Sequence, residues 1–120
     1  MDLDKAVQAH VAWKMKLSGY FKNPDQSLKA SVVGADNQCE LGKWLHGEGK
    51  QYASHPEYKK LIEEHAHFHR EAGALVTKAD RGEKVTDEIA FGSQSAYSQV
   101  SNAVTQAILA LKRKIGTKAA

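Results

Sequence analysis

The stretch EEHAHFHRE carries histidines at 65, 67 and 69. Such a group can hold a metal, relay protons or line a wet helix face, and the spacing discriminates among these. At about 100° per residue, His65 and His69 lie one helical turn apart, on the side of Leu61, Ile62, Phe68, Ala72 and Val76. His67 falls on the other side, among Lys60, Glu63, Glu64 and Glu71, where a solvated face explains it. A buried histidine pair is costly as packing, because each ring brings a donor and an acceptor that must be satisfied away from water. Backbone or water hydrogen bonds are one solution. A metal is the other, since an i, i+4 pair presents two imidazole nitrogens to one point in space.

Two further residues favour the metal. His10 interrupts an apolar stripe between Val7 and Trp13, so a second helix also points a histidine inward. Cys39 stands at the start of a short helical stretch, roughly opposite Leu41, Trp44 and Leu45 on a helical wheel, so it is not a simple core thiol. There the helix dipole and free amides should favour the thiolate, the form that binds metal or reacts with oxidants. Three imidazoles and one thiolate form a tetrahedral set suited to Zn²⁺, with Cu(I) and Co²⁺ as competitors in vitro; magnesium or calcium would want oxygens. His46, two turns beyond Cys39 on the same side, is a rival ligand, while His55 is explained by a helix start.

The elements that must position these residues read as helices. Leu3, Val7, Trp13, Leu17 and Phe21 form a helical stripe with Asp2 as N-cap and Pro24 as stop. Residues 22 to 36 are a connection with room for a short helix around Ser27 to Val32. CELGKWLHG is a short helix opened by Asp36 or Asn37 and closed near Gly47 or Gly49. Ser54-His55-Pro56-Glu57 has the form of a capping box, opening a helix that runs through Tyr58, Leu61, Ile62, Phe68, Leu75 and Val76 to about Asp80, with Gly82 beyond. The last segment places Val85, Ile89, Ala96, Val100, Val104, Ile108, Leu111 and Ile115 on one face of a helix of about 30 residues, stopped by Gly116. The expected fold is all-α: an antiparallel four-helix bundle with one short helix between the first and second long helices, in a single domain over residues 1–120.

Composition narrows the function. The 120 residues have a net charge of +3, and the one dense basic run, Lys112 to Lys114, sits at a helix end where cations complement the dipole; nucleic-acid binding is not expected. No apolar run spans a bilayer, and the first residues carry acids where a secretory signal carries bases, so a soluble cytoplasmic protein without membrane insertion is expected. A single cysteine excludes an internal disulfide and fits a reducing compartment. No catalytic residue is assigned. A catalytic zinc keeps an open position beside a general base, whereas here four ligands fill the set and Glu63 and Glu64 face away. A di-iron site would need inward carboxylates; Glu64 and His67 have the glutamate-x-x-histidine spacing but lie on the wet face.

The motifs HVAWKMKL with His10 and Trp13, CELGKWL with Cys39, Gly42 and Trp44, and HAHFH with His65, Phe68 and His69 resemble, in that order, the chemoreceptor zinc-binding (CZB) domain family. The likeness is expected to reach from His10 to the last helix. It implies a helical bundle holding one zinc through His10, Cys39, His65 and His69, with Trp13, Trp44 and Phe68 packed around the site. It further implies a regulatory module of bacterial signalling, in chemoreceptors or diguanylate cyclases. Such modules are usually homodimeric, act with a signalling partner and respond to zinc or to oxidants such as hypochlorous acid through the zinc-bound cysteine, making Cys39 a redox switch. The chain leaves no room for a methyl-accepting coiled coil or a cyclase domain, so it is either a stand-alone member or a piece of something longer. The competing reading is zinc as a permanent staple in a protein-interaction module.

Overall fold

The carboxylate of Asp2 accepts hydrogen bonds from the amides of Asp4 (3.0 Å) and Lys5 (3.3 Å), satisfying two donors that the first helical turn leaves free. This cap opens α1 (Leu3–Lys22), the first helix of an all-helical bundle. The computed structural model describes residues 2–24, 27–37, 39–92 and 95–115. After α1 come the short α2 (Ala30–Val33) and α3 (Glu40–His46), a 3₁₀ turn at Glu48–Tyr52, the long α4 (Pro56–Asp80), a short α5 (Asp87–Phe91) and α6 (Ala96–Ile115).

Contacts fix the helix directions. Tyr20 donates to Asp80 Oδ1 at 2.6 Å at the far ends of α1 and α4, while His10 faces Phe68 nearer their middles, so these helices run the same way. Lys112 Nζ reaches Asp4 Oδ1 at 2.7 Å, and Phe91 touches both Phe21 and Tyr97 at the other end, so α6 runs against α1. Between them α2 and α3 carry the chain back along α4: α2 lies against Gly73, and Tyr58 donates to the carbonyl of Leu45 in α3. The bundle is therefore antiparallel, with its second position filled by short helices. Leu17, Leu61, Val76, Val104, Ile108 and Leu111 are fully buried between the long ones, each contributing about 1.5–3 kcal/mol by leaving water.

Several boundaries differ from the sequence expectation, for local reasons. In α1 the stripe is centred one position earlier, on Leu3, Ala6, His10, Leu17 and Phe21, leaving Val7 and Trp13 half-buried at its edge. Cys39, not Asp36 or Asn37, caps α3, its sulfur accepting from the amide of Gly42 at 3.4 Å, while the Asp36 carboxylate turns to His46. The capping box does not form. His55, not Ser54, is the N-cap of α4 and makes no side-chain cap bond, and its amide closes the preceding turn by donating to the carbonyl of Tyr52 at 2.9 Å. Gly82, with φ +83°, ends α4 as expected: its amide bonds Ala79 and that of Glu83 bonds Lys78.

The expected helix of about 30 residues is two. Thr86 Oγ1 caps α5 by accepting from Ile89, the backbone turns at Gly92, and Ser95 Oγ restarts α6 by accepting from Ser98. A capping serine competes with helix continuation, and Gly-x-x-Ser supplies both the break and the restart. Ile89 is exposed in consequence, as is Ala96, and Tyr97 takes the buried place at the start of α6. Gly116 lies outside the described residues.

Candidate metal centre

Backbone carbonyls aim two of the three histidines. In α1, His10 Nδ1 donates to the carbonyl of Ala6 one turn earlier, at 2.9 Å. A carbonyl only accepts, so Nδ1 carries the proton and Nε2 presents a lone pair. In α4, His69 Nδ1 donates in the same way to the carbonyl of Val33 at the end of α2, at 2.7 Å, again leaving Nε2 bare. His65 turns Nε2 toward His69 Nε2 at 3.1 Å and Cys39 Sγ at 3.2 Å, and Cys39 Sγ lies 3.5 Å from His69 Nε2. The ligand atoms of His10, Cys39, His65 and His69 all fall within 4.8 Å of one another.

This cluster is poorly satisfied by protein groups. His10 Nε2 and His65 Nδ1 are buried with no hydrogen-bond partner. If His65 carries its proton on Nδ1, that donor is orphaned and two lone pairs confront each other at Nε2; if on Nε2, a buried acceptor is left empty. A cation among the Nε2 atoms and Sγ removes the conflict. The three distances among His65, His69 and Cys39 fit as well, since a tetrahedral zinc with ordinary bond lengths sets its donors about 3.3 Å (N to N) and about 3.6 Å (N to S) apart, and His10 completes the set within 4.8 Å. No carboxylate belongs to the set, which excludes the hard, oxygen-seeking ions.

Electrostatics suit the same purpose. Burial holds His10 and His69 below the ordinary imidazole range; burial, followed by repulsion from His69 and His10, brings His65 to about 2. All three are therefore neutral near pH 7, the form that ligates. Cys39 corrects an expectation. Burial raises its pKa, and the amides of Gly42 and Leu41 only partly oppose that, so the metal-free residue is a thiol rather than the expected thiolate. Desolvation outweighs one long N–H···S contact, so it falls to the cation to displace the proton.

The surrounding residues divide. Phe68 is fully buried and stands edge-on to both His10 and His69, with centroids 5.3 Å away in each case. Trp13 is half-buried beside His10 and Cys39. Trp44 packs on Tyr52 and over Gly49, where a Cβ would strike its ring. His46 pairs with Asp36 at 3.2 Å and is not one of the four ligand candidates; His67 pairs with Glu71 and Glu64 with Lys60 on the outer face.

Sequence reasoning missed the supports of the site. The carbonyls of Ala6 and Val33 orient two rings, and Val33 reaches His69 because Gly34 and Gly73 let α2 press directly on α4. A glycine inside a long helix was the available signal.

Fold and site together define an all-α domain in which, among the described residues, one His₃Cys group fits a zinc ion. The chain belongs to the chemoreceptor zinc-binding domain family, whose model matches residues 10–76 and so includes all four ligands. The match stops within α4 instead of reaching the last helix, and α5 and α6 lie beyond it. No curated protein and no solved structure matches the chain. Among the described residues, no helix is long and apolar enough to cross a membrane.

Proposed function

We propose that the protein is a sensory or regulatory module of bacterial signal transduction, not an enzyme, in which Cys39 is the responsive ligand. The observation that carries this reading is an asymmetry within the site. The three histidines are buried and held in long helices, whereas Cys39 is only partly buried and caps a seven-residue helix. Zinc, when bound, supplies a centre that keeps the thiol deprotonated and joins α1, α3 and α4. An oxidant such as hypochlorous acid would convert the thiolate to a sulfenic acid: sulfur takes up the OH and gives two electrons to chlorine, which leaves as chloride. The oxidised sulfur is a weaker ligand, so α3 loosens with Trp44, and a signalling partner or the second chain of a homodimer reads the change.

The test is a single equivalent of hypochlorous acid added to zinc-loaded protein, followed by tryptophan fluorescence and by mass spectrometry of Cys39. Wild type should gain one oxygen on Cys39 and shift its emission; an equal shift in Cys39→Ser sinks the proposal. Chelator titration addresses the staple reading, which the hydrogen-bonded histidines favour: a staple keeps its zinc until the domain unfolds, a sensor does not.

A further inference from the structure

Two clefts reach the metal site from the surface, one on either side of Trp13, and both open onto Cys39. They differ in charge. The first, about 300 Å³, is lined by Trp13, Lys16, Lys29 and Val32 and ends at Cys39 and His69; among the described residues its lining contains two lysines and no acid. The second, about 460 Å³, is lined by Asp2, Lys5 and Glu40 on the side of His10, so acids outnumber bases. Lys16 Nζ rests over the Trp13 ring, 4.7 Å from its centroid, which holds the ammonium at the first cleft.

We infer that the Lys16–Lys29 cleft is the entry by which small anionic, thiol-reactive molecules reach Cys39, with the two lysines selecting for negative charge. Size and charge both argue for this class. The cleft holds about ten waters' worth of liquid, enough for a small reagent and too little for a folded partner or a peptide. A low-dielectric cleft lined by one sign of charge focuses its field, raising the local concentration of counter-ions and their on-rate by about 10-fold or more, with a steep dependence on salt. The apolar walls at Trp13 and Val32 lower the local dielectric, which strengthens the field of the two lysines. The opposite balance across Trp13 disfavours anions on the His10 side. In biological terms the inference rests on the sensor reading above and narrows its oxidants to those that reach the site as anions, such as the conjugate base of hypochlorous acid.

The experiment compares two alkylating probes of similar size on the zinc-loaded 120-residue chain: iodoacetate, which is anionic, and iodoacetamide, which is neutral. In each case the Cys39 sulfur forms a bond to the probe's CH₂ carbon as iodide leaves, so no oxidant is involved. The rate ratio, normalised to that of free cysteine, should favour iodoacetate by about tenfold at low salt and fall toward one as salt is added. Lys16→Gln/Lys29→Gln should abolish the preference while leaving the iodoacetamide rate unchanged, and Lys5→Gln should leave the preference intact. Val32→Trp, which fills the cleft, should slow both probes. A ratio that the double variant leaves unchanged, or that Lys5→Gln lowers as much, overturns the assignment. Hypochlorous acid applied to the same samples keeps the two proposals apart. If the probes retain their charge preference but the oxidant leaves Cys39 and its metal intact, the cleft stands and the sensor reading falls. If Cys39 oxidises with no charge preference among the probes, the sensor reading stands and the cleft falls.

Discussion

Replacing Gly73 by alanine tests whether the contact between α2 and α4 sets the metal site. A Cβ at Gly73 would lie 2.9 Å from the Cα of Gly34 and 3.1 Å from both the Gly34 nitrogen and the Ala30 carbonyl oxygen. These are backbone atoms that cannot turn aside, so α2 must move off α4 by several tenths of an ångström to restore about 3.5 Å. Two effects compete in the metal-free protein: alanine gains about 1 kcal/mol of helix propensity over glycine, and overpacking costs about 1–3 kcal/mol. The net change should be a loss between about zero and 2 kcal/mol. The larger consequence is at the site. Moving α2 takes the Val33 carbonyl away from His69 Nδ1, now 2.7 Å apart, and frees the ring to rotate. Loss of a hydrogen bond that orients a ligand typically lowers metal affinity about 10- to 100-fold, or about 1.4–2.7 kcal/mol. Chelator competition for zinc and urea unfolding of the metal-free chain measure the two terms separately. Gly19→Ala is the matched control, since a Cβ there meets nothing within 4 Å and should simply stabilise α1 by about 1 kcal/mol. If Gly73→Ala is stabilised as much as Gly19→Ala and binds zinc within twofold of wild type, the positioning argument is wrong.

Two further outcomes follow from the same coordinates. Metal-free protein should lose stability on both sides of neutrality. Below the unfolded histidine value of 6.5 the unfolded chain takes up protons, while His65 stays neutral until about 2, so stability falls with pH through that window, by about 1.4 kcal/mol per unit from this residue. His10 and His69 act in the same direction. Above 9.0 the unfolded chain releases the Cys39 proton first, so stability falls again as pH rises. Urea midpoints across a pH series check this, and a rise in stability on acidification from neutrality would contradict it. In Gly42→Ala the new Cβ would fall on the backbone carbonyl of Asp36, so α3 cannot seat and Cys39 is displaced; zinc stoichiometry measured by elemental analysis should drop below that of wild type, and full occupancy would refute the account.

Helical periodicity put His10, His65 and His69 on inward faces and His67 on the wet one, because the turn of a helix is set by local backbone sterics. The chemistry of the side chains then named the ion, and Asp2, Gly82 and the core stripe of α4 were legible for the same local reason, that of α1 only to within one position. What the sequence left open was whatever depended on distance between segments. The capping box at Ser54 did not form because the preceding 3₁₀ turn, closed by the His55 amide on the Tyr52 carbonyl, starts α4 one residue later, with His55 as N-cap. The last helix broke at Gly92 because Ser95 could satisfy a fresh helix start. Cys39 remained a thiol because burial, a property of the assembled bundle, outweighed the helix terminus that favours its thiolate. Residue types and period determined which side chains could bind a metal; only tertiary packing, through Gly34 on Gly73 and two backbone carbonyls, decided that four of them from three helices would present their lone pairs to one point.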